Sequence, residues 1–146
     1  MTIATAESCT GGLVADRLTN VSGSSKYYKG GVVAYSNEIK SSQLHVNQDI
    51  LNSHGAVSEE VALEMARGVR SHFSSDIGIS TTGIAGPSGG SKEKPVGLVY
   101  VSISSNEFEK TYKFSFTPYR KTNKLMTSQA ALNITRLYLL NGYRKT

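Results

Sequence analysis

The residues best suited to chemistry fall in three short segments. The first is Ala6-Glu7-Ser8-Cys9-Thr10-Gly11-Gly12, with two hydroxyls and a thiol ahead of a glycine pair. If a strand leads into it and a helix leaves it, free backbone N–H groups collect there and a ligand can approach the chain closely. Ser8 is its candidate nucleophile. The second is Tyr35 to Lys40, which holds a phenol and an amine within one short stretch. The third is Thr81-Thr82-Gly83-Ile84-Ala85-Gly86-Pro87-Ser88-Gly89-Gly90, again hydroxyls and glycines. One glycine-rich turn is weak evidence of a site. Three such segments leaving strand ends at one rim are stronger evidence, because ligands bind beyond the carboxyl ends of strands in open α/β sheets.

A serine nucleophile needs a base. His45, His54 and His72 lie on different predicted elements, so a Ser-His-Asp triad is not expected. No H-E-x-x-H run and no cysteine pair is present, so no metal site and no cofactor is expected. The P-loop pattern is missing too. Lys40 is the remaining candidate, since a neutral amine can accept the serine proton. Its pKa must then be lowered, by burial or a neighbouring cation. Tyr35 is placed to relay a proton or to hold Lys40. The alternative is that Lys40 is a solvated lysine at a helix start and Tyr35 a packed aromatic.

The elements that would position these residues follow from periodicity. Met1 to Ala6 reads as a strand buried on both faces, and Leu13, Val14, Arg17 and Leu18 as a helix with Thr10 as N-cap. Asn20 to Ser25 is a loop, Gly30 to Tyr35 a second strand, Ser36 to Lys40 the start of a short helix, and Asn47 to Ser53 another that ends at Gly55. Ser58 caps the clearest helix, with Glu59 and Glu60 in its first turn and an apolar stripe of Val61, Ala62, Met65, Ala66, Val69 and Phe73. Ile77 to Thr82 and Val96 to Ile103 are strands. Phe108 to Phe116 is a fifth, with Phe108, Tyr112, Phe114 and Phe116 on one face and Glu109, Thr111, Lys113 and Ser115 on the other. The short Ser104 to Glu107 link makes the last two a hairpin. A final helix runs from Thr122 to Leu140 and ends at Gly142. This order predicts a three-layer α/β/α sandwich whose mixed, mostly parallel sheet is closed by an antiparallel hairpin.

The 146 residues suit a single domain, and 38% apolar content suffices for a core. The net charge of +5 is spread along the chain, so nucleic acid is not the expected partner; it reads first as a soluble basic surface, with a modest pull on anionic small ligands as the functional alternative. No apolar run approaches membrane length, no signal-peptide pattern opens the chain, and Cys9 is the lone cysteine. A cytoplasmic protein without a membrane association is expected.

Five stretches, taken together, resemble the CinA C-terminal domain family, some of whose members stand alone as nicotinamide-nucleotide (NMN) amidohydrolases. They are A-E-S-C-T-G-G at Ala6 to Gly12, G-G-V-V-A-Y-S-N-E-I-K at Gly30 to Lys40, G-A-V-S-E at Gly55 to Glu59, T-G-I-A-G-P-S-G-G at Thr82 to Gly90 and K-P-V-G at Lys94 to Gly97. The resemblance covers nearly the whole chain. It implies hydrolysis of the NMN carboxamide to nicotinate mononucleotide and ammonia, with Ser8 as nucleophile and Lys40 and Tyr35 as its partners. Under it, Cys9, Thr10 and Gly83 are the first candidates for oxyanion donors. The glycine loops, through Gly11, Gly12, Thr82 and Gly86, and the basic side chain of Arg120 would hold the 5′-phosphate. Where the family usually has a Gly-Asp pair before that arginine, this chain has Pro118-Tyr119. The resemblance further implies a homo-oligomer, a dimer. A second reading remains open, a non-catalytic nucleotide-binding module in a competence or damage response.

Overall fold

The computed structural model describes residues 1–141; the predicted helix end at Gly142 lies outside the described residues. Its centre is β1 (Ile3–Glu7), buried at every position. The alternation Ile-Ala-Thr-Ala-Glu turns Ile3 toward one layer and Ala4 and Ala6 toward the other. β1 pairs in parallel with β2 (Tyr28–Val33) on one side and β3 (Ile77–Gly83) on the other. β4 (Leu98–Ser104) runs antiparallel to β3, and β5 (Glu109–Ser115) antiparallel to β4, giving the order β2-β1-β3-β4-β5. The predicted three-layer sandwich, parallel at the centre and closed by an antiparallel hairpin, is what forms.

On one face, α1 (Leu13–Thr19) and α5 (Arg120–Asn141) cover Ile3, Ile77, Ile79, Val99, Val101 and Ile103. The apolar side of β5 (Phe108, Tyr112, Phe114, Phe116) packs into this layer, as its alternation predicts. On the other face lie α2 (Asn37–Leu44), α3 (Gln48–His54) and α4 (Glu59–His72). Ser58 caps α4 by accepting the Val61 N–H at 3.3 Å, and the predicted stripe from Val61 to Val69 is buried. Phe73 falls just past the helix as its C-cap and stays partly buried. α4 lies very close to the sheet: a Cβ on Gly78 would overlap the Ala66 carbonyl oxygen.

Some boundaries differ from the sequence expectation. β2 begins at Tyr28 and stops at Val33, so Tyr35 lies beyond the strand. β4 begins at Leu98, because Gly97 turns with φ 92°. A short 3-10 turn at Ser24–Lys26 interrupts the predicted loop. α5 starts at Arg120, two positions before the expected Thr122. Thr10 is not the N-cap of α1; Gly12 takes that position in a left-handed conformation and offers no side chain.

Candidate active site

Strand register places the chemistry. Glu7 lies opposite both Val33 and Thr81, so β1 and β2 end level and β3 runs two residues further at the same edge. The loops leaving them share one rim.

The turn after β1 is held by a buried carboxylate. Glu7 is 2% exposed, and its Oε1 accepts the Val14 N–H at 2.8 Å while Oε2 accepts that of Ala15 at 3.1 Å. Glu7 thus caps α1 from outside the helix and meets its positive end with a negative charge. The Thr10 hydroxyl donates to Glu7 Oε1 at 2.6 Å and also contacts Thr81 Oγ1 at 2.8 Å. Since Thr10 has one proton, Thr81 donates in the second bond. The Ser8 N–H donates to the Thr81 carbonyl at 2.9 Å, and the Gly11 N–H to the Ser8 carbonyl at 3.1 Å. Gly11 and Gly12 supply φ of 60° and 105° that bend the chain into α1. Thr10, Gly11 and Gly12 therefore shape the turn behind Ser8, and none of them is among the residues lining the cleft. The Thr10 hydroxyl and the Gly11 N–H are committed to bonds within the turn.

Lys40 arrives from the other layer. Ser36 caps α2 by accepting the Ile39 N–H at 3.2 Å, and the first helical turn carries Lys40 inward, where it is 1% exposed. Its Nζ lies 3.1 Å from Ser8 Oγ and donates to the Ala34 carbonyl at 2.9 Å. No ion pair among the described residues includes Lys40. Burial without a counter-charge holds its pKa below the ordinary 10.5. A Cys9 thiolate would oppose that, but burial pushes the Cys9 thiol up to about 12, so it stays neutral. Lys40 is the buried lysine beside the serine that a general base requires, and not a solvated one.

Tyr35 is placed differently from the expectation. It is 62% exposed, and its hydroxyl accepts from Arg120 Nη2 at 2.9 Å, with no hydrogen bond to Ser8 or Lys40. Ending β2 at Val33 sends Tyr35 to the rim while α2 turns Lys40 inward. Arg120 Nη1 donates to the Gly86 carbonyl at 2.7 Å. Behind it, buried Asn123 donates to the Ala85 and Thr117 carbonyls at 2.9 and 2.8 Å, fixing the start of α5 to the glycine-rich loop.

Between these groups lies a cleft of about 270 Å³. Ser8, Cys9, Tyr35, Lys40, Thr82, Gly83, Gly86 and Arg120, all singled out from sequence, line it. Asn37, Ala56 and Val57 also line it; they fall within segments singled out from sequence but were given no role there. Ala56 and Val57 carry no reactive group, and Thr82 brings them there by donating to the Ala56 carbonyl at 2.8 Å. Glu7 was missed as well, although a carboxylate one residue before a candidate nucleophile was a readable signal. Among the described residues no group of three or more His, Cys, Asp or Glu could hold a metal, and no helix is long and apolar enough to cross a membrane.

Residues 1–139 match the CinA C-terminal domain. A relative from Halothermothrix orenii, designated a competence-damage inducible protein, is 55% identical over 145 residues, covering 99% of this chain and 35% of its own. A CinA-like protein of Sulfurihydrogenibium is 49% identical over 97% of this chain and 35% of its own. The chain thus spans about a third of the length of these curated relatives. Among solved structures, the competence/damage inducible protein CihA of Agrobacterium tumefaciens superposes with a TM-score of 0.92 at 39% identity, covering 97% of this chain and 86% of that one. The competence damage-inducible protein A of Klebsiella pneumoniae gives 0.91 at 33% identity over 95% and 86%.

Proposed function

The chain belongs to the CinA C-terminal domain family, and from that premise we propose that it is a serine amidase that hydrolyses the carboxamide of NMN to nicotinate mononucleotide and ammonia. The observation that carries the proposal is the 3.1 Å contact between Ser8 Oγ and a buried Lys40 that lacks a counter-ion. A neutral amine there uses one N–H for the Ala34 carbonyl and turns its lone pair to the serine proton.

Ser8 Oγ attacks the carboxamide carbon and its proton passes to Lys40. The C–N bond breaks as Lys40 returns that proton to the leaving nitrogen, releasing ammonia and an acyl-serine. Water, deprotonated by Lys40, cleaves the ester, and the proton goes back to Ser8 Oγ. The oxyanion needs donors near Ser8. Within the turn, the Ser8 and Gly11 amides are spent on Thr81 and Ser8 carbonyls, which leaves those of Cys9, Thr10 and Gly12, and the first two adjoin Ser8 most closely in the chain. Glu7 holds both in place by anchoring the helix that follows. Arg120 and the glycine-rich loop, across the cleft, suit the phosphate end of the substrate.

The experiment is ammonia release from NMN by the chain with no added metal. Ser8→Ala should lower kcat by at least about a thousandfold while the far-ultraviolet spectrum stays native. Full activity in that variant rules out Ser8 as nucleophile, and NMN binding without turnover by the unaltered chain favours a non-catalytic module.

A further inference from the structure

Arg120 joins three separate segments. It opens α5, donates through Nη1 to the Gly86 carbonyl in the glycine-rich loop, and donates through Nη2 to the Tyr35 hydroxyl between β2 and α2. We propose that Tyr35 is a positioning residue for Arg120, setting the preference for a phosphorylated over a phosphate-free substrate, and that it takes no part in proton transfer at Ser8. The inference rests on the amidase reading and reassigns one of its expected partners.

Two arguments support it. Proton transfer is complete without Tyr35: Lys40 Nζ already bonds Ser8 Oγ at 3.1 Å and the Ala34 carbonyl at 2.9 Å. A phenol that is 62% exposed and engaged by a guanidinium is poorly placed to relay a proton to a buried amine. The Arg120 contact also has the form an anion site requires. A guanidinium has five N–H donors, and spending one from each Nη on fixed oxygens locks its plane and leaves the rest for an incoming anion. The Tyr35 oxygen accepts from the cation, so its own proton remains free to donate to a phosphate oxygen, and the adjoining charge strengthens that bond. Loss of the hydroxyl removes both effects.

The test is Tyr35→Phe in the full chain, assayed on NMN and on nicotinamide riboside, which has the same carboxamide and no phosphate. The ratio of kcat/KM for NMN to that for the riboside should fall about tenfold, carried by KM, with the acid limb of the pH–rate profile unmoved. A loss in kcat shared by both substrates, or a shifted limb, overturns the proposal and returns Tyr35 to the chemistry. Calorimetric binding of nicotinate mononucleotide to the unaltered chain and to Tyr35→Phe needs no turnover. Affinity that drops about tenfold in the variant supports the inference even if the chain does not hydrolyse NMN; equal affinities overturn it even if it does.

Discussion

Lys40 is the residue on which the chemistry and the stability pull apart. Burial lowers its pKa from 10.5, so the unfolded chain holds the lysine proton more tightly than the folded one. Below the lowered folded value the residue opposes folding in full. That penalty fades as pH rises through the window up to 10.5, where the unfolded lysine also loses its proton. The rate should rise with pH across an acid limb whose midpoint lies below 10.5, measurable as kcat/KM against pH. Lys40→Met keeps the aliphatic stem and removes the buried amine. Turnover should vanish while Tm rises at neutral pH, with the gain shrinking as pH approaches 10.5. A variant less stable than the parent at pH 7, or a difference that ignores pH, would contradict this account. From sequence, Lys40 could be read as solvated or buried, because the choice depends on which face of α2 meets the sheet. That face is set by Leu44, buried in the same layer as Val61, Met65 and Val69 of α4, and a short helix shows too few turns to declare it.

At the scale of elements, the unit that matters is the connection from β1 to α1. Glu7 does for α1 what a cap residue does elsewhere, but from within the strand. Glu7→Ala strands two backbone N–H groups and the Thr10 hydroxyl, so it should cost about 2–3 kcal/mol in urea unfolding. Thr10→Val should cost about 1 kcal/mol alone and far less in the Glu7→Ala background, since both act in one network. Additive losses in that double-mutant cycle would show the two to be independent. The strands, α4 and the β4–β5 hairpin were legible because apolar periodicity is strong there. The cap was not, because helix-start signals are searched within a few residues of the helix, and Glu7 acts from six residues ahead of Leu13. Tyr35 was misplaced for a related reason. Its β-branched approach, Val32-Val33, continues the strand pattern, whereas the β1 partner ends at Glu7 and the ladder stops with it.

For the whole molecule, the cleft exists because two layers meet it from opposite sides of the sheet. Ser8 comes from the sheet itself, Lys40 from the layer of α2 to α4, and Arg120 from the layer of α1 and α5. The distance from Ser8 to Lys40 is therefore set by how near that first layer lies to the sheet. Gly78 on β3 makes the approach possible, and Ser80 secures it by donating to the Ala62 carbonyl at 2.5 Å. Gly78→Ala must push α4 away, and should lose more than about 3 kcal/mol of stability along with turnover, read by thermal unfolding and ammonia release. No sequence rule exposed this, since a strand glycine is a common residue whose meaning depends on what packs over it.

Cys9 sits beside the nucleophile, lines the cleft, and is 6% exposed, with its thiol held neutral up to about 12. Iodoacetamide, which reacts with thiolate, should leave the folded protein fully active over the time of an assay, and that insensitivity separates a serine enzyme from a cysteine enzyme without mutation. The same thiol becomes a clock. Slow alkylation in the native state reports how often the turn between β1 and α1 opens, and a ligand that fills the cleft should lengthen that interval by a factor of one plus the ratio of free ligand concentration to Kd.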